Sequence, residues 1–187
     1  MTVTFPLIGE PLALDLLNTE AAVGDLVADP AGLVAWLAAQ AGRLTPVDVV
    51  GEGEVAAVQA LRAAARPALD AVRHGERPPA GALTALNEAL AAAPSHRVLA
   101  WTEAGGIAAD AHRPADPARR LAAELAEAVA ELLTDPRVGQ VRGCEAHDCV
   151  LLFLPAHPRR RWCVASVCGN RARVARYYAR HKGDAQA

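Results

Sequence analysis

The chain has 187 residues, 52% of them apolar, and a formal net charge of −2. That is long enough to bury a sizeable core, and too apolar and too nearly neutral for a disordered chain. No uninterrupted apolar run approaches the roughly eighteen residues of a membrane span. The opening MTVTFPLIGEPLALDLL lacks a basic start, and Glu10 and Asp15 break its apolar stretch, so no signal peptide is expected. The expected setting is cytoplasmic, with no membrane partner.

The charge is unevenly spread. Residues 1–136 carry 9 Lys+Arg against 18 Asp+Glu, whereas residues 137–187 carry 10 against 3. This divides the chain into an acidic body, 1–136, and a basic module, 137–187. Attraction between the two surfaces within one molecule is the simpler alternative meaning of the same asymmetry.

In chain order, FPLIGEPLALDLLN (5–18) reads as a short strand running into a helix. DPAGLVAWLAAQAG predicts a helix capped by Asp29, with Pro30 in its first turn, Leu33, Trp36 and Leu37 on one face, and a stop at Gly42. Residues 53–75 have helical periodicity through Val58, Leu61, Leu69 and Val72, with a bend or break expected near residue 66 because Pro67 lacks an amide donor. A further helix is expected around 80–92, with Leu83, Leu86 and Leu90 on its apolar side. Two strands, 96–102 and 106–112, should meet at a Gly105-Gly106 turn. Asp116-Pro117 opens a last body helix through Leu121, Leu125, Val129 and Leu132 or Leu133, and Asp135-Pro136 closes it.

All four cysteines, Cys144, Cys149, Cys163 and Cys168, fall in GCEAHDCVLLFLPAHPRRRWCVASVCGN, as two C-x4-C pairs. Clustered thiols in a reducing compartment suit a closed, structural Zn2+ site better than two disulfides. Buried thiols or reversible disulfides are the competing reading. His147, His157 and His181 lie close enough in sequence for a mixed Cys/His site, although four cysteines make one unnecessary. The segment after Cys149 should form a strand, and GNRARVARYYARHK a terminal helix. On that helix Arg173, Arg176 and Arg180 make a basic stripe beside Arg171, with Val174 and Tyr178 turned toward the module. Arg159, Arg160 and Arg161 precede Trp162, which is expected in the core. This positive surface suits the phosphate backbone of double-stranded DNA, or else neutralises the acidic body.

RRWCVASVCGNRARVARYYAR resembles the CGNR zinc finger, named for the tetrad that is here Cys168, Gly169, Asn170 and Arg171. The resemblance implies a zinc-bound DNA-binding element with the four cysteines as ligands. It also implies that Arg171, Arg173 and Arg176 lie on the basic helix. Pro155 stands where relatives carry an acid, which alters the loop expected to approach DNA. In the tetrad, Gly169 permits close backbone approach and Asn170 is suited to cap the helix. Arg171 is suited either to phosphate or to pinning the module to the body. LALDLLNT, with Asp15, Asn18 and Thr19, is similar to the start of the ABATE domain, a stress-induced transcription regulator, and LNEAL with Asn87 also resembles it.

Asp15, Asn18, Trp36 and Asn87 are candidates for a small-molecule effector pocket, with Arg62 or Arg66 as anion partners. No phosphate loop, dinucleotide glycine signature, His-Glu-x-x-His motif or nucleophile elbow is present, so no enzyme is expected. The expectation is an α+β protein: a mainly helical N-terminal domain with a short β-hairpin, then a small four-cysteine zinc module ending in a basic helix. It would act as a DNA-binding transcriptional regulator, with homodimerisation attractive because one finger offers little recognition surface. A zinc-stabilised protein–protein interaction module, or a small-ligand-binding protein without direct DNA binding, is the alternative.

Overall fold

The computed structural model describes residues 5–181. Lys182, expected at the end of the terminal helix, lies outside them.

The body is a helical assembly: α1 (Leu12–Leu17), α2 (Pro30–Ala39), α3 (Glu52–Val72), α4 (Ala80–Ala92) and α5 (Pro117–Thr134). Among the described residues no strand precedes α1. Two short strands, β1 (Glu20–Ala21) and β2 (Gly24–Asp25), follow it as a tight hairpin. The Asp29 side chain caps α2 through the Gly32 amide at 2.7 Å, and Asp116 caps α5 in the same way at Arg119. Both helices begin with the proline expected of the first turn.

The long helix α3 passes through Pro67 without a break. Pro67 removes one internal hydrogen bond, but Ala64, Ala65, Ala68 and Leu69 on either side are buried against the core, and their packing holds both halves in line. The core joins Leu14, Leu16 and Leu17 of α1 to Trp36, Val58, Leu61 and Leu69, and to Leu121, Leu125, Val129 and Leu132 of α5. On α4 only Ala82 and Leu86 are buried; Leu90 is partly covered and Leu83 is exposed.

β3 (His96–Thr102) and β4 (Gly106–His112) pair antiparallel, with His96 opposite His112 and Thr102 opposite Gly106. The turn passes through Gly105 at φ 79°, a conformation that favours glycine. After α5, a 3-10 turn (Val138–Gln140) leads to β5 (Arg142–Gly143), which pairs with β6 (Leu152–Phe153). A π-type turn, Ala165–Gly169, runs directly into α6 (Asn170–His181).

Strand β6 alternates between two cores. Leu152 enters the body core, while Leu151 and Phe153 enter a smaller core with Cys144, Ala146, Cys163 and Cys168. Successive strand residues face opposite ways, so this one segment seams the module to the body.

Candidate metal centre and basic surface

The two cysteine pairs are brought together by the β5–β6 ribbon. The Cys144 amide donates to the Leu151 carbonyl at 2.9 Å and the Glu145 amide to the Arg161 carbonyl at 3.0 Å. The turn between Cys144 and Cys149 passes through Asp148 at φ 60°, a left-handed conformation that aspartate tolerates better than most residues. In the second knuckle, the Cys168 and Gly169 amides both donate to the Val164 carbonyl. A Cβ at Gly169 would lie 3.2 Å from Trp162 Cε3, so the indole packs directly on the glycine backbone. Trp162 is partly buried there against the cysteine core, as expected.

All four sulfurs lie within 4.8 Å of one another and could hold a metal ion. The separations are 3.7 Å for Cys149–Cys163, 3.4 Å for Cys163–Cys168 and 3.9 Å for Cys149–Cys168. A tetrahedral ion with Zn–S bonds of about 2.3 Å places its sulfurs roughly 3.8 Å apart, and a disulfide would require about 2.05 Å. The donor set therefore fits Zn2+. Burial pushes the Cys149 thiol up to about 11 and raises Cys163 as well. Burial opposes ionisation of Cys168 too, but hydrogen bonds from Cys163 and Arg171 outweigh it, and its pKa is lowered. Arg171 Nη2 lies 3.1 Å from the Cys168 sulfur. Of the two roles expected for Arg171, the geometry displays neither; its guanidinium faces the cluster. His147 is exposed and paired with Asp148, away from the sulfurs.

The arginines divide by environment. Arg160 is turned inward: it donates to the Trp162 carbonyl at 3.2 Å and the Cys163 carbonyl at 2.7 Å, pairs with Glu10 at 2.7 Å, and lies 4.3 Å over the Phe153 ring. Those contacts turn the guanidinium toward the module's interior and Glu10 rather than toward the outer basic surface. Arg161 is exposed and paired with Glu145, which lowers the Glu145 pKa through that hydrogen bond. Arg159 is exposed. On α6, Arg173 donates to Asn170 and Arg176 to the Ala172 carbonyl, and Arg180 is exposed in the last turn. Among the described residues no α6 arginine makes an ion pair with a carboxylate.

Two local expectations fail at α6. Asn170 is already helical and its side-chain Nδ2 donates back to the Ser166 carbonyl, so it does not act as the N-cap. Val174 and Tyr178 are exposed, because α6 leaves the module instead of packing on it.

The four pocket candidates lie in different surroundings: three are buried and Asn87 is exposed. Asp15 is buried and accepts from the Gly9 and Glu10 amides at 3.0 and 3.1 Å, and from Gln40 and Arg43. Asn18 is buried and pairs with the backbone of Leu152. Trp36 is fully buried in the core, its Nε1 without a hydrogen-bond partner among the described residues. Asn87 is exposed on α4. Arg62 is committed to Asp25 and Thr19, and Arg66 to the Leu17 carbonyl. Burial and satisfied hydrogen bonding give Asp15, Asn18 and Arg62 structural roles.

Sequence reasoning missed Glu10. Its backbone is held by Asp15, and its carboxylate accepts from the Leu154 amide at 2.9 Å while pairing with Arg160. The available signal was a carboxylate inside an apolar run, which demands a partner when buried.

Residues 10–136 match the model of the ABATE family, described as "Putative stress-induced transcription regulator". The chain belongs to the ABATE family. In this ABATE protein the body is followed by a second match, the CGNR zinc finger, over residues 140–181. None of the curated proteins matches the chain. Neither matched family is an enzyme family, and together they support a regulatory, zinc-binding protein. Among the described residues no helix is long and apolar enough to cross a membrane.

Proposed function

We propose that this ABATE protein is a cytoplasmic, non-enzymatic transcriptional regulator that binds double-stranded DNA through its zinc module. Cys144, Cys149, Cys163 and Cys168 hold a structural Zn2+, which ties the two knuckles together and leaves no open position for a catalytic water. Arg173, Arg176 and Arg180, with Arg159 and Arg161, contact phosphates. The observation that carries this reading is the α6 stripe: exposed arginines, without an acidic residue on the helix, on an element that projects from the metal-held turn. Arg171 shields the negative charge of the thiolate cluster at the base of that helix, and Arg160 positions the loop.

Removing the stripe with Arg173→Ala, Arg176→Ala and Arg180→Ala together is the test. Mixed-sequence duplex affinity should fall by more than tenfold at low salt while zinc content stays unchanged. Undiminished affinity sinks the reading. The exposed Val174, Tyr177 and Tyr178 on the same helix favour a second reading, a protein-binding helix. It predicts no duplex affinity even at low salt.

A further inference from the structure

The β3–β4 ribbon sorts its side chains by face. The pairing register sets Arg97 beside Ala111, Leu99 beside Ala109 and Trp101 beside Ile107, so these six share one face of the ribbon. Leu99, Trp101 and Ile107 are 69%, 74% and 65% exposed. Every β3 residue except Thr102 is exposed, and among the described residues the ribbon is a sheet of only two strands. An isolated two-stranded ribbon is marginal in water, and a long apolar edge strand invites another strand.

We propose that β3 is a self-association edge, pairing antiparallel with β3 of a second copy of this chain about a two-fold axis at Leu99. That register is self-complementary. Leu99 meets Leu99 of the second copy, Val98 faces Ala100, and His96 faces Thr102. Arg97, the one charged residue on the apolar face, stands beside Trp101 of the second copy, where a cation–π contact forms. No two like charges face each other, and both copies keep their apolar residues on the same side because the pairing preserves the two-residue period. The result is a four-stranded sheet in the order β4-β3-β3-β4, with two basic modules in one particle.

The three large side chains offer roughly 400 Å² of apolar surface per copy, about half of what each partner gives to a standard interface. The dimer is therefore weak, with a dissociation constant of roughly 10–100 μM.

Sedimentation of the zinc-loaded full chain across about 5–500 μM spans that affinity range. Leu99→Lys puts two ammonium groups side by side at the axis, and Arg97→Glu removes the cation from Trp101 without touching apolar surface. Each should weaken dimerisation at least tenfold, whereas Val49→Lys, at an exposed valine elsewhere, should not. Zinc content and helical circular dichroism should be unchanged in all three. A wild-type chain that stays monomeric throughout overturns the proposal, as does dimerisation that ignores both ribbon variants. Trp101-dependent binding of a monomeric chain to anionic phospholipid vesicles, or to another protein, would overturn it too, by assigning the face to another partner.

Discussion

The Asn18 carboxamide pairs with both backbone groups of Leu152: Nδ2 donates to the carbonyl at 2.9 Å and Oδ1 accepts from the amide at 2.8 Å. The side chain at the C-cap of α1 thereby takes the place of a third strand beside the β5–β6 ribbon. Glu10 extends the same seam to the Leu154 amide and Arg160, and Asp15 holds the Glu10 backbone in place. Asp15 and Asn18 of the LALDLLNT stretch thus belong to the joint between body and module.

Asn18→Leu should unseat that joint. It leaves a buried donor and a buried acceptor on Leu152 without partners, at a cost of about 2–4 kcal/mol. Asn18→Asp retains only the acceptor and should cost nearly as much. Denaturant unfolding gives the magnitude, and faster exchange of the Leu152 amide localises it.

The Glu10–Arg160 pair calls for a double-mutant cycle. Arg160→Met strands a carboxylate that is only 8% exposed and should cost about 3 kcal/mol. Glu10→Gln made in addition should recover part of the loss, because the stranded charge is gone. Additive losses would mean that the two residues do not interact.

Stability should also fall in acid through Asp25. The Arg62 hydrogen bond is the largest influence and holds the Asp25 carboxyl below its ordinary value of 3.8, although burial pushes the other way. A depressed folded pKa means that the unfolded chain takes up the proton first. The contribution is therefore complete above about pH 4 and is lost as pH falls through the lower folded value. Asp25→Asn should flatten the dependence of Tm on pH below about pH 4 and lower Tm at about pH 7, since the buried Arg62 then keeps only the longer pairing with the more exposed Glu20. An unchanged acid limb would exclude this pair as a source of acid lability.

The helices of the body were legible in the sequence because capping and periodicity are local: Asp29-Pro30 and Asp116-Pro117, each followed by a helical apolar period, mark helix starts. The register of the β3–β4 ribbon followed from its turn glycines, and the cysteine cluster from spacing and thiol chemistry. The inward turn of Arg160 was not legible, because its partner Glu10 lies 150 positions away and nothing in an arginine run separates the member that packs over Phe153. Pro67 misled because tertiary packing outweighed a local backbone preference. The backbone partners of Asp15 and Asn18 were not legible either, because a polar residue embedded among leucines signals a backbone partner as well as a pocket.

Gly169 offers a steric check on the second knuckle. Gly169→Ala places a methyl 3.2 Å from the Trp162 ring, a squeeze that a small shift of the indole absorbs at about 1 kcal/mol, while Gly169→Val should cost about 3 kcal/mol or more. Near-ultraviolet circular dichroism of Trp162 should change in both variants. Zinc content should be lost first in the valine variant.

The most direct test of a zinc-held, DNA-binding module is metal content and duplex affinity measured across a salt series on one purified sample. One zinc per chain is expected, with an affinity that falls with log salt at a slope of about −4.5, as five arginine–phosphate contacts would give. One zinc per chain with no duplex binding at low salt, or with binding indifferent to salt, would leave the metal centre standing and contradict the assignment of DNA as its partner.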